Sequence, residues 1–159
     1  MWTARAFAFA FAFAALPAAA QVTTCNGANT AFSLGAYPAF SAGPLDSSTV
    51  FTVNCSRTGG PGNETVTVGL GASSHSGTIA TRSMLLSGGS DVLTYNIYRD
   101  AGRSLVWGNT IGSNTMSLTQ HINNNATIGF SFTLFGRIDA LQDVRPGNYA
   151  DSLTITVTF

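Results

Sequence analysis

The chain has 159 residues, of which only 9% are charged, and its seven basic residues, all arginines, balance seven acidic ones. A protein with so little charge has no basic surface for binding nucleic acid or anionic lipid. Disorder is also excluded, because disordered chains are poor in the β-branched and aromatic residues that are abundant here. Sparse charge on a strand-rich surface favours association between sheet edges.

The N-terminus has the three parts of a secretory signal. Arg5 supplies a positive charge, residues 6–16 form an apolar run of eleven residues, and residues 18–20 are three alanines that suit cleavage. The apolar run is too short to span a bilayer, which takes about 20 residues in a helix, and no later stretch is longer. We predict that residues 1–20 are removed on export and that residues 21–159 form one domain without a transmembrane segment.

The two cysteines, Cys25 and Cys55, both lie in the predicted mature region. An exported chain enters an oxidising compartment, so an even cysteine count favours one disulfide. The alternative is a pair of free, buried thiols. A metal site is disfavoured because no histidine lies at ligand spacing from either cysteine.

Short alternating segments separated by Gly, Ser, Asn and Pro clusters are typical of a β-sandwich or barrel. The predicted strands, in chain order, are residues 48–54, 64–70, 92–98, 115–122, 126–135 and 151–159, and residues 104–107 are a short apolar piece. The predicted turns are residues 58–63, 87–90 and 145–148. No segment after the signal has a helical period, so the predicted fold class is all-β.

The final predicted strand keeps an apolar face up to its last residue. Its alternation places four side chains on one face: Leu153, Ile155, Val157 and Phe159. A terminal segment of this kind needs cover, because uncovered termini are usually polar and frayed. In an immunoglobulin-like sandwich the cover would be one more strand, and no sequence follows to supply it. We therefore expect these four residues to line an open groove.

Several ordered motifs carry a resemblance to a known family. After the early cysteine they are residues 32–37 (FSLGAY), 49–55 (TVFTVNC), 82–84 (RSM), 93–100 (LTYNIYRD), 106–108 (VWG), 135–138 (FGRI) and 146–151 (PGNYAD). Together with the terminal alternating strand, they make the chain resemble the spore coat protein U domain family. This family is the subunit type of archaic chaperone–usher pili, and the resemblance covers nearly all of the mature chain.

The resemblance implies an incomplete immunoglobulin-like sandwich that lacks its final strand, and a Cys25–Cys55 disulfide. A periplasmic chaperone would lend a strand to the open groove. The N-terminal extension of a neighbouring subunit would then replace that strand at the outer-membrane usher, by strand addition to a sheet edge. The chain would thus pass through the periplasm into a surface pilus or coat that serves adhesion or biofilm formation.

The N-terminus departs from the family pattern. A donor strand needs about ten residues at 3.3 Å each, whereas only residues 21–24 precede Cys25 after the predicted cleavage. Residues 6–14 alternate Ala and Phe and could form a strand if retained, although their position suits a signal better. The sequence therefore predicts a subunit that accepts a strand but does not donate one. Such a subunit would lie at the fibre tip or in a coat that is not polymerised head to tail.

No catalytic constellation is recognisable. The histidines, His75 and His121, lie in polar stretches without a nearby cysteine or patterned carboxylate. Asp139, Asp143 and Asp151 are close in sequence, but they flank a loop and a turn rather than forming an acid/base pair. We therefore predict that the protein is not an enzyme and has no cofactor or metal.

Two further interpretations concern polar and aromatic side chains. Asp151 is expected to organise the turn at residues 146–151 through bonds to its backbone. Tyr95, Tyr98 and Trp107 could form an aromatic patch for contact with a sugar or a surface, whereas core packing of Tyr95 and Trp107 is the simpler interpretation. The alternative to a pilus subunit is a stand-alone adhesive or ligand-binding β-sandwich that closes itself.

Overall fold

The computed structural model of the protein describes residues 20–27 and 31–159. Nine strands make up the regular structure of these residues: β1 (Val22–Gly27), β2 (Leu45–Thr58), β3 (Gly62–Leu70), β4 (Arg82–Leu86), β5 (Val92–Tyr98), β6 (Met116–Ile122), β7 (Ala126–Ile138), β8 (Tyr149–Ala150) and β9 (Ile155–Thr158). Within the described ranges no helix suited to crossing a membrane occurs. Apart from Ala20, the predicted secretory signal lies outside these residues.

The strands form two sheets. The larger sheet has six strands in the order β1-β2-β7-β5-β4-β8, and the smaller has three in the order β6-β3-β9. The pairings between these strands are antiparallel, and the longest runs between β2 and β7, from Leu45 opposite Ile138 to Arg57 opposite Ala126. Cys25 of β1 lies directly opposite Cys55 of β2, and the two form a disulfide.

The core lies between the two sheets, because alternate residues of each strand point inward. Phe51 and Val53 of β2 are buried, whereas Val50 on the same strand points outward and is 56% exposed. The buried apolar residues of the core are Leu34, Phe51, Val53, Cys55, Val66, Val68, Leu70, Leu93, Tyr95, Ile97, Trp107, Ile122, Phe130, Phe132, Leu134 and Ile138.

One stretch without regular structure also supplies core side chains. Residues 31–38 form no strand, yet Phe32 and Leu34 pack over Gly136 of β7. A Cβ atom at Gly136 would collide with the ends of both side chains, so a larger residue there would displace them. This segment therefore covers part of the larger sheet that the smaller sheet leaves uncovered.

The structure contains a strand in each predicted range and three strands that the alternation does not predict, β1, β4 and β8. In the short apolar piece at residues 104–107, Val106 makes only an isolated bridge to Tyr98. The final strand is confined to Ile155–Thr158 rather than spanning residues 151–159. The residues before it are irregular because Asp151 accepts hydrogen bonds from Ser74 and from the backbone of Ser152.

The architecture is an immunoglobulin-like sandwich in which one strand is missing from the described part of the chain. The two sheets differ in width by three strands, and the smaller one ends at β9. Its two edge strands are β6 and β9, and the outer edge of β9 has no strand partner among the described residues.

Candidate functional site

The outer edge of β9 is unpaired among the described residues. β9 pairs only with β3, through four positions from Ile155 opposite Leu70 to Thr158 opposite Thr67. Backbone N–H and C=O groups along such an edge are free to pair with another strand.

The edge of the larger sheet lies close by. β1 is an edge strand of that sheet, and a Cβ atom placed on its Gly27 would lie 3.7 Å from Cγ2 of Val157. The N-terminal half of β1 is joined to β3 by the hydroxyl of Thr23, which donates to Oε2 of Glu64 at 2.8 Å. Two sheet edges, β1 and β9, thus lie on the same side of the sandwich.

A cavity of about 320 Å³ opens between β9 and the larger sheet. Its lining residues are Ala31, Phe32, Leu34, Leu70, Met84, Tyr95, Ile97, Leu134, Tyr149, Ala150, Asp151, Leu153 and Ile155. The lining is apolar apart from two tyrosine hydroxyls, one carboxylate and backbone groups. We call this cavity, together with the free edge of β9, the β9 groove.

The four residues predicted to line a groove have different environments in the structure. Leu153 and Ile155 line the cavity and are half-buried against the core. Val157 is also half-buried and lies beside Gly27 of β1. Phe159 is 52% exposed and is neither a core residue nor part of the cavity lining.

Sequence reasoning missed the opposite wall of the groove. That wall is formed by Phe32, Leu34, Met84 and Leu134, of which the first two belong to the irregular segment at residues 31–38. The alternation of Phe32, Ser33 and Leu34 was a possible signal, but three residues are too few to identify a strand or its partner. A larger cavity of about 630 Å³ lies next to the groove and shares Phe32, Leu34 and Met84 with it.

Asp151 is the one carboxylate in the groove lining, and its bonds differ from the prediction. Its Oδ2 accepts a hydrogen bond from the Tyr95 hydroxyl at 2.8 Å, and its Oδ1 accepts from the Ser74 hydroxyl at 2.7 Å and the Ser74 amide at 3.0 Å. The expectation that Asp151 organises the turn at residues 146–151 is therefore wrong. Its hydrogen-bond partners are Tyr95 on β5, Ser74 in the loop after β3 and the amide of Ser152, none of which belongs to residues 146–150.

These contacts determine the protonation states of Asp151 and Tyr95. Partial burial raises the pKa of Asp151, but the hydrogen bonds from Ser74 and Tyr95 outweigh burial and leave the pKa below its ordinary value. The same burial and the neighbouring carboxylate raise the pKa of the Tyr95 hydroxyl far above its usual range. At neutral pH the pair is therefore a carboxylate accepting a hydrogen bond from a neutral phenol.

A fully buried arginine lies beside the groove. Arg82, the first residue of β4, donates hydrogen bonds to the carbonyl oxygens of Leu70 at 3.1 Å, Gly71 at 2.8 Å and Trp107 at 2.8 Å. Its Nη1 donates to Oδ1 of Asn96 at 2.7 Å. Burial lowers the pKa of Arg82, although an arginine stays protonated under ordinary conditions. The side chain joins the end of β3 to the larger sheet.

The remaining candidate residues do not form a second site. His75 and His121 are exposed, and ring nitrogen Nδ1 of His121 hydrogen-bonds Oδ1 of Asn63 at 3.0 Å. Tyr95 and Trp107 are buried, which confirms core packing for these two. In the described part of the chain no group of three or more metal-ligating side chains is found.

The fold and the groove define a class of protein: a disulfide-bonded, all-β subunit with an unpaired strand edge beside an apolar cavity. The model of the Spore Coat Protein U domain family matches residues 10–156, so the chain belongs to that family. The family is associated with chaperone–usher pilus and coat subunits, which are structural components of the cell surface. No curated protein matches the chain.

Proposed function

We propose that the protein is a structural subunit of a surface pilus or coat that assembles by accepting an extended strand in the β9 groove. The observation that carries the proposal is the unpaired edge of β9 beside an apolar cavity. Family membership supports the structural role and makes a catalytic role unnecessary.

Strand addition accounts for both the free edge of β9 and the apolar cavity beside it. The backbone of the incoming strand would pair with the free N–H and C=O groups of β9, which supplies affinity without sequence selectivity. Alternate side chains of that strand would point into the cavity and contact Ile97, Leu134 and Ile155. Each fully buried Val, Leu or Ile side chain would contribute about 1.5–3 kcal/mol, so an apolar alternating strand is favoured.

The proposed partners follow from the order of assembly. A periplasmic chaperone would fill the groove first and keep the apolar walls from aggregating. At the outer-membrane usher a neighbouring subunit would then supply the permanent strand. The protein would thereby travel through the periplasm to the cell surface.

We further propose that this subunit accepts a strand without donating one. After removal of residues 1–20, the four residues before Cys25 would be too few for a donor strand of about ten residues. In the structure Gln21 is held by Arg57, next to the turn that follows β2. A tip position in the fibre, or a place in a coat without head-to-tail polymers, fits such a subunit.

Appending a strand tests the acceptor function directly. A short glycine-containing loop and about ten alternating Val and Thr residues would be added after Phe159 of the mature chain. We expect the parent chain to refold at low concentration but to aggregate as its concentration is raised, and the extended chain to stay a soluble monomer with a higher urea midpoint. The matched control replaces the inward-facing valines of the appended strand with aspartates, which cannot enter an apolar cavity unpaired.

The opposite result would favour the stand-alone adhesive sandwich. In that case the parent chain would stay monomeric at high concentration, and the valine strand would add no more stability than the aspartate strand.

The acceptor-only role has its own measurement. N-terminal sequencing of the exported protein is expected to begin at Gln21. A longer N-terminus that retains the Ala-Phe alternation of residues 6–14 would overturn this part of the proposal, because that segment could then act as a donor.

A further inference from the structure

We infer that Asp151, together with Tyr95 and Arg82, forms a clamp that keeps the empty β9 groove in the shape that receives a strand. In this role the three are positioning residues for strand capture. The inference rests on the proposed acceptor function and adds a property of the empty subunit.

An empty apolar groove has a tendency to collapse. Its walls bring Leu153 and Ile155 opposite Ile97 and Leu134 across a cavity of about 320 Å³, and contact between these walls would remove apolar surface from water. Backbone pairing resists this movement weakly, because β9 is paired at only four positions and on one edge. Contacts beside the cavity must therefore hold its walls in place.

Asp151 fixes the segment that leads into β9. Its carboxylate accepts from the Tyr95 hydroxyl of β5 in the larger sheet at 2.8 Å, and from the amide and hydroxyl of Ser74 in the loop after β3. One side chain thereby joins the entry of β9 to β5 of the larger sheet and to the loop after β3. Because the bonds involve an ionised acceptor, they are among the stronger hydrogen bonds.

Arg82 fixes the partner of β9. Its fully buried side chain extends from β4 in the larger sheet to the carbonyl oxygens of Leu70 and Gly71 at the end of β3. The Gly71 amide in turn donates to the carbonyl oxygen of Thr154 at 2.8 Å, just before β9 begins. Arg82 acts as a spacer between the sheets, and Asp151 acts as a tether across the same gap.

The clamp predicts an effect on affinity as well as on stability. A contact that is equally formed in the empty and filled states changes the stability of both and leaves the affinity for the strand unchanged. A contact that prevents collapse of the empty groove raises the fraction of molecules whose groove is open and ready to bind. The apparent dissociation constant is the intrinsic constant divided by that fraction, so loss of the clamp weakens binding.

The experiment uses the strand-extended chain described above, with a protease site in the added loop and a fluorophore on the added strand. Cleavage makes the strand a separate probe whose dissociation constant is measured by dilution and competition. We expect Asp151→Asn to raise this constant roughly tenfold, and Tyr95→Phe to raise it roughly threefold. The double variant should show no larger change than Asp151→Asn alone, because the two residues share one bond.

The control is Asp143→Asn, which removes the same charge from an exposed position in the neighbouring loop and should leave the constant unchanged. The inference is overturned if Asp151→Asn lowers the urea midpoint of the uncleaved chain but binds the strand as tightly as Asp143→Asn does. Tyr95→Phe keeps the carboxylate and the Ser74 bonds, so it tests the same tether should Asp151→Asn not fold. Failure of the proposed function is a separate result, since the valine strand would then not stabilise the unsubstituted chain.

Discussion

The β2–β7 pair and β9 differ in how many strand partners they have and in how deeply their inward side chains are buried. β2 and β7 lie inside the larger sheet, with a partner on each edge, and pair with each other from Leu45–Ile138 to Arg57–Ala126. β9 has four residues, one partner and one free edge. Their inward side chains differ in the same way, because Phe130 and Phe132 of β7 are fully buried whereas Ile155 and Val157 of β9 are only half-buried.

This difference separates the part of the molecule that determines stability from the part that remains available for a partner. The β2–β7 pair has its backbone bonds and its side-chain contacts complete within one chain. β9 has one strand partner, and its inward side chains are only half-buried, so under the proposed function another strand would supply the rest. The side of the sandwich that contains β2 and β7 is therefore complete within one chain, whereas the side that contains β9 is unfinished, in the sense that β9 has a free edge.

Removing a core side chain from β7 should produce the largest effect. The Phe132 ring is fully buried and lies 6.3 Å from the Trp107 ring, measured between centroids. We expect Phe132→Ala to lower the free energy of unfolding by about 3–5 kcal/mol, because it leaves a cavity in a close-packed core. Urea denaturation of the strand-extended chain measures this loss.

The matched control lies on the outer face of the neighbouring strand. Val50 of β2 is 56% exposed, and Val50→Ala should change the free energy of unfolding by no more than about 0.5 kcal/mol. Comparable losses for the two variants would mean that the β2–β7 pair does not carry the stability assigned to it.

The long strands were predictable from the sequence because each repeats one alternation over many residues. Residues 48–54 and 126–135 were assigned to strands, and β2 and β7 contain them. The period of two also predicts one inward-facing set at the end of the chain, and Leu153, which precedes β9, and Ile155 and Val157 of β9 are all half-buried against the core. In such segments burial of one face determines the structure, and burial is visible in the pattern of apolar residues.

The polar surroundings of the groove were not predictable in this way. Arg82 begins a strand of five residues, and nothing in its neighbours indicates that it is fully buried among backbone carbonyls. The bond between Asp151 and Tyr95 joins residues 56 positions apart. Such contacts depend on which strands become neighbours in space, and a one-dimensional pattern contains no information about that order.

A substitution on β9 should cause a smaller loss of stability than Phe132→Ala, and the size of this loss should depend on whether a strand is appended. Val157 is half-buried in the structure and would become fully buried once a strand fills the β9 groove. Val157→Ala removes two methyl groups, so we expect a loss of about 1 kcal/mol in the chain without an appended strand and about 2 kcal/mol in the strand-extended chain. The urea midpoints of both chains, each refolded at low concentration, give the two losses.

The diagnostic quantity is the difference between these two losses, because it depends on the filling of the groove. Thr156 lies on the same strand with its side chain exposed, so Thr156→Ala should have the same effect in both chains. Phe132→Ala should likewise cause the same loss of stability with and without the added strand, because Phe132 is already fully buried. An equal loss for Val157→Ala in both chains would show that the added strand does not cover β9, and the contrast between a finished and an unfinished side of the sandwich would then be wrong.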